Sequence, residues 1–391
     1  MALVTLSIAG YRSLRSLSVP LKQLNVVTGE NGTGKTSLYR SLRLLADVAQ
    51  GQAIGSLAAE GGMRSITWAG GSSYSSAIRS GRAPMQSTVG DGPVSLRLGF
   101  ASADYGYAID LGLPIPGPGG GRGQPSLFGD DPEVKAEAVW VGERLSRRNV
   151  IARRGNASVL VQAGDGRLRP VVTDLAPFES MMMRAADPTG AAELLHLRER
   201  MRGWRFYDHF RIDRDAPARM PRVGTRTVAL ASDGSDLAPA VQTVREIGDG
   251  PAFDAAIEDA FPGSSIEIEA TDGLFHLTMR QKGLRRPLAT SELSDGTLRY
   301  VALVTALHTP RPPELIVLNE PESSLHPDLL FPLARMIAAA SDRSQIIVVS
   351  HARALADCLQ KQGAYMLALE KVEGETVVAD VHPPLWSWPE R

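Results

Sequence analysis

The octapeptide Gly29-Glu30-Asn31-Gly32-Thr33-Gly34-Lys35-Thr36 constrains the fold of this chain more than any other stretch. Glycine at three of eight positions lets the backbone curl with its N–H groups facing inward, a path that side chains resist. The apolar run Leu24-Asn25-Val26-Val27 reads as a strand over 24–28 that delivers the chain into this loop. A helix is expected from Lys35 to about Val48, with Leu38, Leu42, Leu45 and Val48 at near-helical spacing and Gly51 as its stop. A buried strand feeding a helix through a glycine loop belongs to an α/β fold, and the helix N-terminus there is an anion site.

The candidate cofactor contacts of the loop are Asn31, Gly32, Thr33, Gly34, Lys35, Thr36 and Ser37. With a nucleotide in the loop, Lys35 spans the β- and γ-phosphates and the Thr36 hydroxyl ligates Mg2+. Far downstream, Leu315-Ile316-Val317-Leu318 is an apolar run suited to a buried parallel strand. Its C-terminal end is where open α/β sheets bind ligands, and Glu320 stands there as the candidate general base toward an attacking water. Asn319 keeps an amide oxygen that can accept from Thr36 or from a magnesium-bound water, but it carries no charge. The metal-associated residues are therefore Thr36 and Asn319, with weak Mg2+ retention and slow turnover expected.

Leu293-Ser294-Asp295-Gly296-Thr297 precedes a helix running to about Leu307. A Ser hydroxyl and a Gly N–H at a helix N-terminus form an anion site, although by themselves they are an ordinary N-cap. The spacing to Glu320 and His351 favours the anion reading for Ser294 and Gly296. Two phosphate sites in one chain imply two chains sharing each nucleotide.

Residues 3–9 read as a strand. From about 64 to 163 the pattern alternates, in Val94–Phe100, Tyr107–Leu111, Ala138–Val141 and Ser158–Val161, which predicts an antiparallel meander. Pro114-Ile115-Pro116-Gly117-Pro118-Gly119-Gly120-Gly121 interrupts it as a surface loop. Helical signals dominate 175–262, where the Met181-Met182-Met183 and Met201 stripe is simplest as core. A hairpin around Asp272-Gly273, a helix over about 328–340, a strand at Ile346–Val349 and a last helix from about Arg353 follow. Three parts are expected: 1–170 with the glycine loop and meander, a mainly helical 171–300, and 301–391.

A chain of 391 residues, 43% apolar and 22% charged, can bury a sizeable core. Its net charge of -1 excludes the global signature of an obligate nucleic-acid binder and leaves only local basic patches. Such a patch exists at 198–226, where nine arginines face four carboxylates and Trp204, Phe206, Tyr207 and Phe210 are interleaved. It reads either as a phosphate-binding and base-stacking segment or as a solvated face over core aromatics. The single cysteine, Cys358, cannot form an intramolecular disulfide and is expected as a small semi-buried residue of the last helix. With no secretory signal pattern and no membrane span, a cytoplasmic protein is expected.

Together these segments resemble the Walker A, signature, Walker B, D-loop and switch-histidine motifs of ABC-type ATPases. Ile8-Ala9-Gly10-Tyr11-Arg12-Ser13-Leu14, the glycine loop and Asn319-Glu320-Pro321-Glu322-Ser323-Ser324-Leu325-His326-Pro327 resemble the SMC/RecF-like branch, including its predicted RecF-type AAA family ATPases. The resemblance implies a P-loop NTPase of the ABC-type ATPase head class, with an antiparallel β-subdomain and a helical lobe. It implies that Ser294 and Gly296 contact the γ-phosphate of ATP held by the opposite subunit, that Ser323–Pro327 crosses the dimer interface, and that His351 senses the γ-phosphate. The Q-loop glutamine is not placed by pattern; Gln52 and Gln86 are its candidates. Asp295 and Thr297 depart from the transporter-type signature.

The interval from Thr36 to Ser294 is longer than a transporter ATPase implies and lacks the heptads of SMC arms. The stretch after His351 is too short for an OLD-type nuclease domain, so any nuclease is expected as a separate protein. ATP and Mg2+ are the expected cofactors and an ATP-dependent homodimer the expected assembly. Two outputs stand: a DNA-associated ATPase of repair or genome maintenance, and a nucleotide-controlled switch acting on an effector such as a nuclease or toxin.

Overall fold

The computed structural model describes residues 2–68, 94–114, 128–208 and 210–391. Gln86 and residues 115–121 of the expected loop lie outside these. Contacts divide the chain into two compact units, one of Met1–Leu21, Gly29–Gly203 and Ala368–Arg391, the other of Lys22–Thr28 and Trp204–Leu367. Among the described residues no helix is long and apolar enough to cross a membrane.

The chain opens with the hairpin β1 (Leu3–Tyr11) and β2 (Leu14–Pro20), then passes through β3 (Leu24–Gly29) into α1 (Lys35–Ala49). Two short helices follow, α2 (Ala53–Ala59) and α3 (Met63–Ile66). The expected meander is present as β4 (Ser95–Ser102), β5 (Tyr105–Gly112), β6 (Glu133–Val141), β7 (Val150–Gly155), β8 (Ser158–Gln162) and β9 (Leu168–Val172). The sheet is larger than the alternation foretold, because the opening hairpin joins it in the order β2-β1-β4-β5-β6-β7-β8-β9. Alternation marks a strand but not its neighbour, and Ile8 opposite Leu98 is a pairing no local pattern encodes.

Glu137 of β6 is fully buried and ties this sheet to the next segment. Its carboxylate accepts from the Tyr107 hydroxyl at 2.6 Å, the Ser180 hydroxyl at 2.5 Å and the Met181 N–H at 2.8 Å. Ser180 caps α4 (Met181–Arg184), and α5 (Ala192–Arg202) packs against α1. Met181, Met182 and Met201 are core, as expected, whereas Met183 is exposed. The C-terminal tail returns to the same unit, with Trp386 edge-on to Trp140 and the Arg391 guanidinium donating to Asp110 at 2.7 and 2.9 Å.

The second unit is built on parallel strands in the order β10-β15-β16-β3, where β10 is Arg205–Tyr207, β15 Leu315–Asn319 and β16 Gln345–Val349. Every residue of β15 and β16 is buried, as strands covered on both faces require. A small antiparallel sheet, β11 (Arg222–Val223), β13 (Leu274–Gln281) and β12 (Ser264–Thr271), carries β14 (Leu288–Ala289) on β13. The β12–β13 hairpin turns at Asp272 and Gly273, both at positive φ (54° and 75°), which a two-residue hairpin loop needs. Around the strands lie α6 (Leu237–Ile247), α7 (Gly250–Ala260), α8 (Asp295–Leu307), α9 (Leu330–Ser341) and α10 (Arg353–Lys361), the last carrying a half-buried Cys358. The remaining strands, β17 (Tyr365–Val372) and β18 (Glu375–Val378), form an antiparallel hairpin.

Candidate functional site

In the first unit the glycine loop wraps the N-terminus of α1, with Gly29, Gly32 and Gly34 at φ of 149°, 83° and 104°. The buried Lys35 ammonium donates to the carbonyls of Gly29 at 2.7 Å and Glu30 at 2.9 Å, so the lysine is folded into the curl of the loop. Thr33 closes the same turn, its hydroxyl donating to the Glu30 carbonyl at 2.8 Å. Asn31, Gly32 and Thr36 are exposed, while Ser37 is buried in the first turn of α1. The loop has a support that its own sequence does not announce. Thr376 of β18, 1% exposed, donates its hydroxyl to the Thr33 carbonyl at 2.7 Å. With that proton engaged, the Ser13 hydroxyl donates to Thr376 Oγ1 at 2.8 Å. A Cβ on Gly34 would come within 2.5 Å of the same Thr376 oxygen, so only glycine fits there.

In the second unit the end of β15 gathers five carboxylate, amide and imidazole groups, those of Glu320, Glu322, Asp208, Asn319 and His351. Glu320 leaves the strand with its N–H donating to the Val349 carbonyl at 2.7 Å and with φ at 47°, the left-handed region that a glutamate rarely occupies. Its carboxylate lies 3.5 Å from His351 Nδ1, and both side chains are about half exposed. Glu322 holds the histidine segment in place: its buried Oε1 accepts from the Ser350 hydroxyl at 2.6 Å and from the N–H groups of His351 and Ala352 at 3.2 Å each. Asn319 is 8% exposed, donates through Nδ2 to Asp208 Oδ1 at 2.7 Å, and leaves its Oδ1 buried without a hydrogen-bond partner. The buried Arg299 guanidinium donates to the carbonyls of Glu320 at 2.9 Å and Asp208 at 3.4 Å. Burial pushes its proton affinity down, and Glu322, Asp208 and Glu320 oppose that effect.

The segment before α8 belongs to the same unit. The exposed Ser294 caps the helix, its Oγ accepting from the Thr297 N–H at 3.1 Å and lying 2.8 Å from the Thr297 hydroxyl. Gly296 is set against the turn after Glu322, where an added Cβ would sit 2.6 Å from the Ser324 carbonyl oxygen. Arg219 pins the approach to this segment. Its guanidinium donates to the carbonyls of Thr290 at 2.6 Å and Leu293 at 2.8 Å, and to Asp295 Oδ1 at 2.6 Å.

A family model described as "AAA domain, putative AbiEii toxin, Type IV TA system" matches residues 180–357, and one described as a protein of unknown function (DUF2813) matches residues 1–52. No curated protein matches in sequence. Among solved structures, an SMC head bound to the C-terminal winged-helix domain of ScpA is similar over 97% of this chain and 98% of that one, at 13% identity and a TM-score of 0.50. The fold is that of an SMC/RecF-like ABC-type ATPase head. Two further structures are similar over nearly their full lengths: the SMC head domain from Thermotoga maritima and an SMC head with extended coiled coil from Pyrococcus furiosus. The first is 15% identical (TM-score 0.48; 98% of this chain, 100% of that one), the second 12% identical (TM-score 0.46; 96% and 95%).

Within this fold, Asn31–Ser37 form one local structure, and Asn319, Glu320 and His351 come together around the end of β15. Ser294 and Gly296 cap α8. Of the two glutamine candidates, Gln52 precedes α2 and Gln86 lies outside the described residues. Of the two readings of the 198–226 segment, the buried Trp204, Phe206, Tyr207 and Phe210 fit the solvated face over core aromatics and not base stacking. Sequence reasoning missed Asp208, Arg219, Arg299 and Thr376 as parts of the site framework. Glu322 alone had a signal, as the second acid of Asn-Glu-Pro-Glu. Among the described residues no cluster of three or more His, Cys, Asp or Glu is arranged to hold a metal ion.

Proposed function

We propose that this chain binds ATP with Mg2+, hydrolyses it slowly and dimerises around two nucleotides. The observation that carries this reading is the Glu320–His351 pair, 3.5 Å apart at the end of a fully buried parallel strand. The motif order implies that the glycine loop serves the same nucleotide. The N–H groups of the loop and the Lys35 ammonium bind the β- and γ-phosphates. Glu320 orients the attacking water and accepts its proton, and His351 stands beside it to contact the γ-phosphate.

Thr36 and Asn319 are the residues that would hold Mg2+. Both offer hard oxygen donors, and the unpartnered buried Oδ1 of Asn319 suits a hydrated ion that takes most of its ligands from phosphate and water. When bound, the ion neutralises charge on the phosphates. Ser294 and Gly296 meet the γ-phosphate of the partner copy's ATP in this reading.

The test is the size of Glu320→Gln in solution. With saturating ATP and Mg2+ the variant should accumulate as a dimer, and a species that stays monomeric contradicts the shared site.

Two outputs differ in what supports them. Action on DNA draws on the family resemblance and on exposed arginines such as Arg202, Arg211 and Arg214, of which Arg202 and Arg211 are paired with Glu199 and Asp213. Control of an effector draws on the toxin–antitoxin description of the family model over 180–357. Salt-sensitive binding of duplex DNA by the trapped dimer favours the first, and co-purification of a nuclease or toxin-like protein without DNA binding favours the second.

A further inference from the structure

We propose that Asp208 supplies the negative charge of the magnesium site, transmitted through the Asn319 amide. The proposal rests on the ATP·Mg2+ reading above and names the residue that replaces the charge absent at position 319. Strands β10 and β15 run parallel with Tyr207 opposite Leu318, so the next residues, Asp208 just past β10 and Asn319 at the end of β15, stand side by side. The 2.7 Å bond from Asn319 Nδ2 to Asp208 Oδ1 fixes which way the amide faces. Its oxygen then points away from Asp208, buried and without a protein partner.

A carboxylate at 319 could not occupy this geometry together with Asp208, because two like charges at hydrogen-bond distance do not both stay ionised. Asn at 319 and Asp at 208 are therefore one unit: a neutral ligand backed by a charge. A carboxylate accepting from the amide N–H also makes the amide oxygen a better acceptor, as partners behind metal ligands do. Arg299 beside the pair offsets part of this charge, but its Nη2 hydrogen bonds go to the main-chain carbonyls of Asp208 and Glu320, which leaves the Asp208 carboxylate to the Asn319 amide. The remaining charges around the strand end, Glu320 and Glu322, add to the attraction for a cation.

The experiment measures binding of a fluorescent ATP analogue in EDTA and in Mg2+ for the wild type, Asp208→Asn and the exchanged double variant D208N/N319D. All substitutions are isosteric, and a melting curve of each variant in EDTA establishes folding. In the wild type Mg2+ should tighten binding. Asp208→Asn should lose on the order of tenfold of that tightening while binding in EDTA is no weaker, and the exchanged variant should regain it. Undiminished Mg2+ tightening in Asp208→Asn, or an exchanged variant that does not recover, overturns the proposal. Wild-type protein that fails to bind the analogue under either condition overturns the ATP reading itself, a separate and recognisable failure.

Discussion

Arg219 shows how one residue type reads differently before and after folding. In the sequence it belongs to a basic run interleaved with aromatics, a pattern equally suited to nucleic acid and to a solvated face. In the structure it is 8% exposed, with Nε donating to the carbonyls of Ile212 and Asp213 at 3.0 and 3.1 Å besides its bonds to Thr290, Leu293 and Asp295. Arg219→Met keeps much of the bulk and strips donors from several buried carbonyls, which should cost roughly 3 kcal/mol. Calorimetry should show a lower melting temperature, and an unchanged one would contradict this bonding role. The aromatics beside it, Trp204, Phe206, Tyr207 and Phe210, were legible as large apolar groups but not as core, because interleaving records composition and not direction. Lys35 was legible because its neighbours in sequence, Gly29 and Glu30, are also its neighbours in space, and Glu320 because it directly follows an apolar strand.

At the scale of elements, strand, glycine loop and α1 were readable since each is specified within a dozen residues. The hairpin β17–β18 was not, although it braces the loop: Thr376 lies far along the chain from Thr33 and nothing local couples them. Thr376→Val is nearly isosteric and leaves the Thr33 carbonyl without that donor. It should weaken nucleotide binding by about 1 kcal/mol, roughly fivefold in Kd, with little change in the secondary structure seen by circular dichroism. Titration with a fluorescent ATP analogue checks this, and wild-type affinity in the variant would assign β18 no part in shaping the loop. The same limit hid β2 from the reading of the large sheet: the place of Leu14–Pro20 is set by pairing with β1.

For the molecule as a whole, the fold class was legible because motifs near both ends bracket it, whereas its output was not, since a near-neutral surface names no partner. One global property does follow from the interior. His308, at the end of α8, is largely buried, lies edge-on to Phe253 and hydrogen-bonds the Val304 carbonyl through Nδ1 at 2.8 Å. Burial holds its proton affinity below the ordinary value of 6.5, with Arg343 adding to the effect and Asp249 opposing it. A depressed folded value means stability that is complete above 6.5 and lost as pH falls through the folded pKa. The melting temperature should therefore decline on acidification below 6.5, and His308→Gln should flatten that decline; a parallel decline in the variant would clear His308 of it. The positive φ of Glu320 carries a different kind of consequence. Glycine at 320 would relieve about 1 kcal/mol of backbone strain, so the fold is more comfortable without its candidate base. On the proposed ATPase reading, a lineage released from hydrolysis would drift downhill at this position, gaining robustness as it loses that chemistry. In relatives of this chain, glycine or asparagine after β15 would mark copies that have become nucleotide-holding scaffolds.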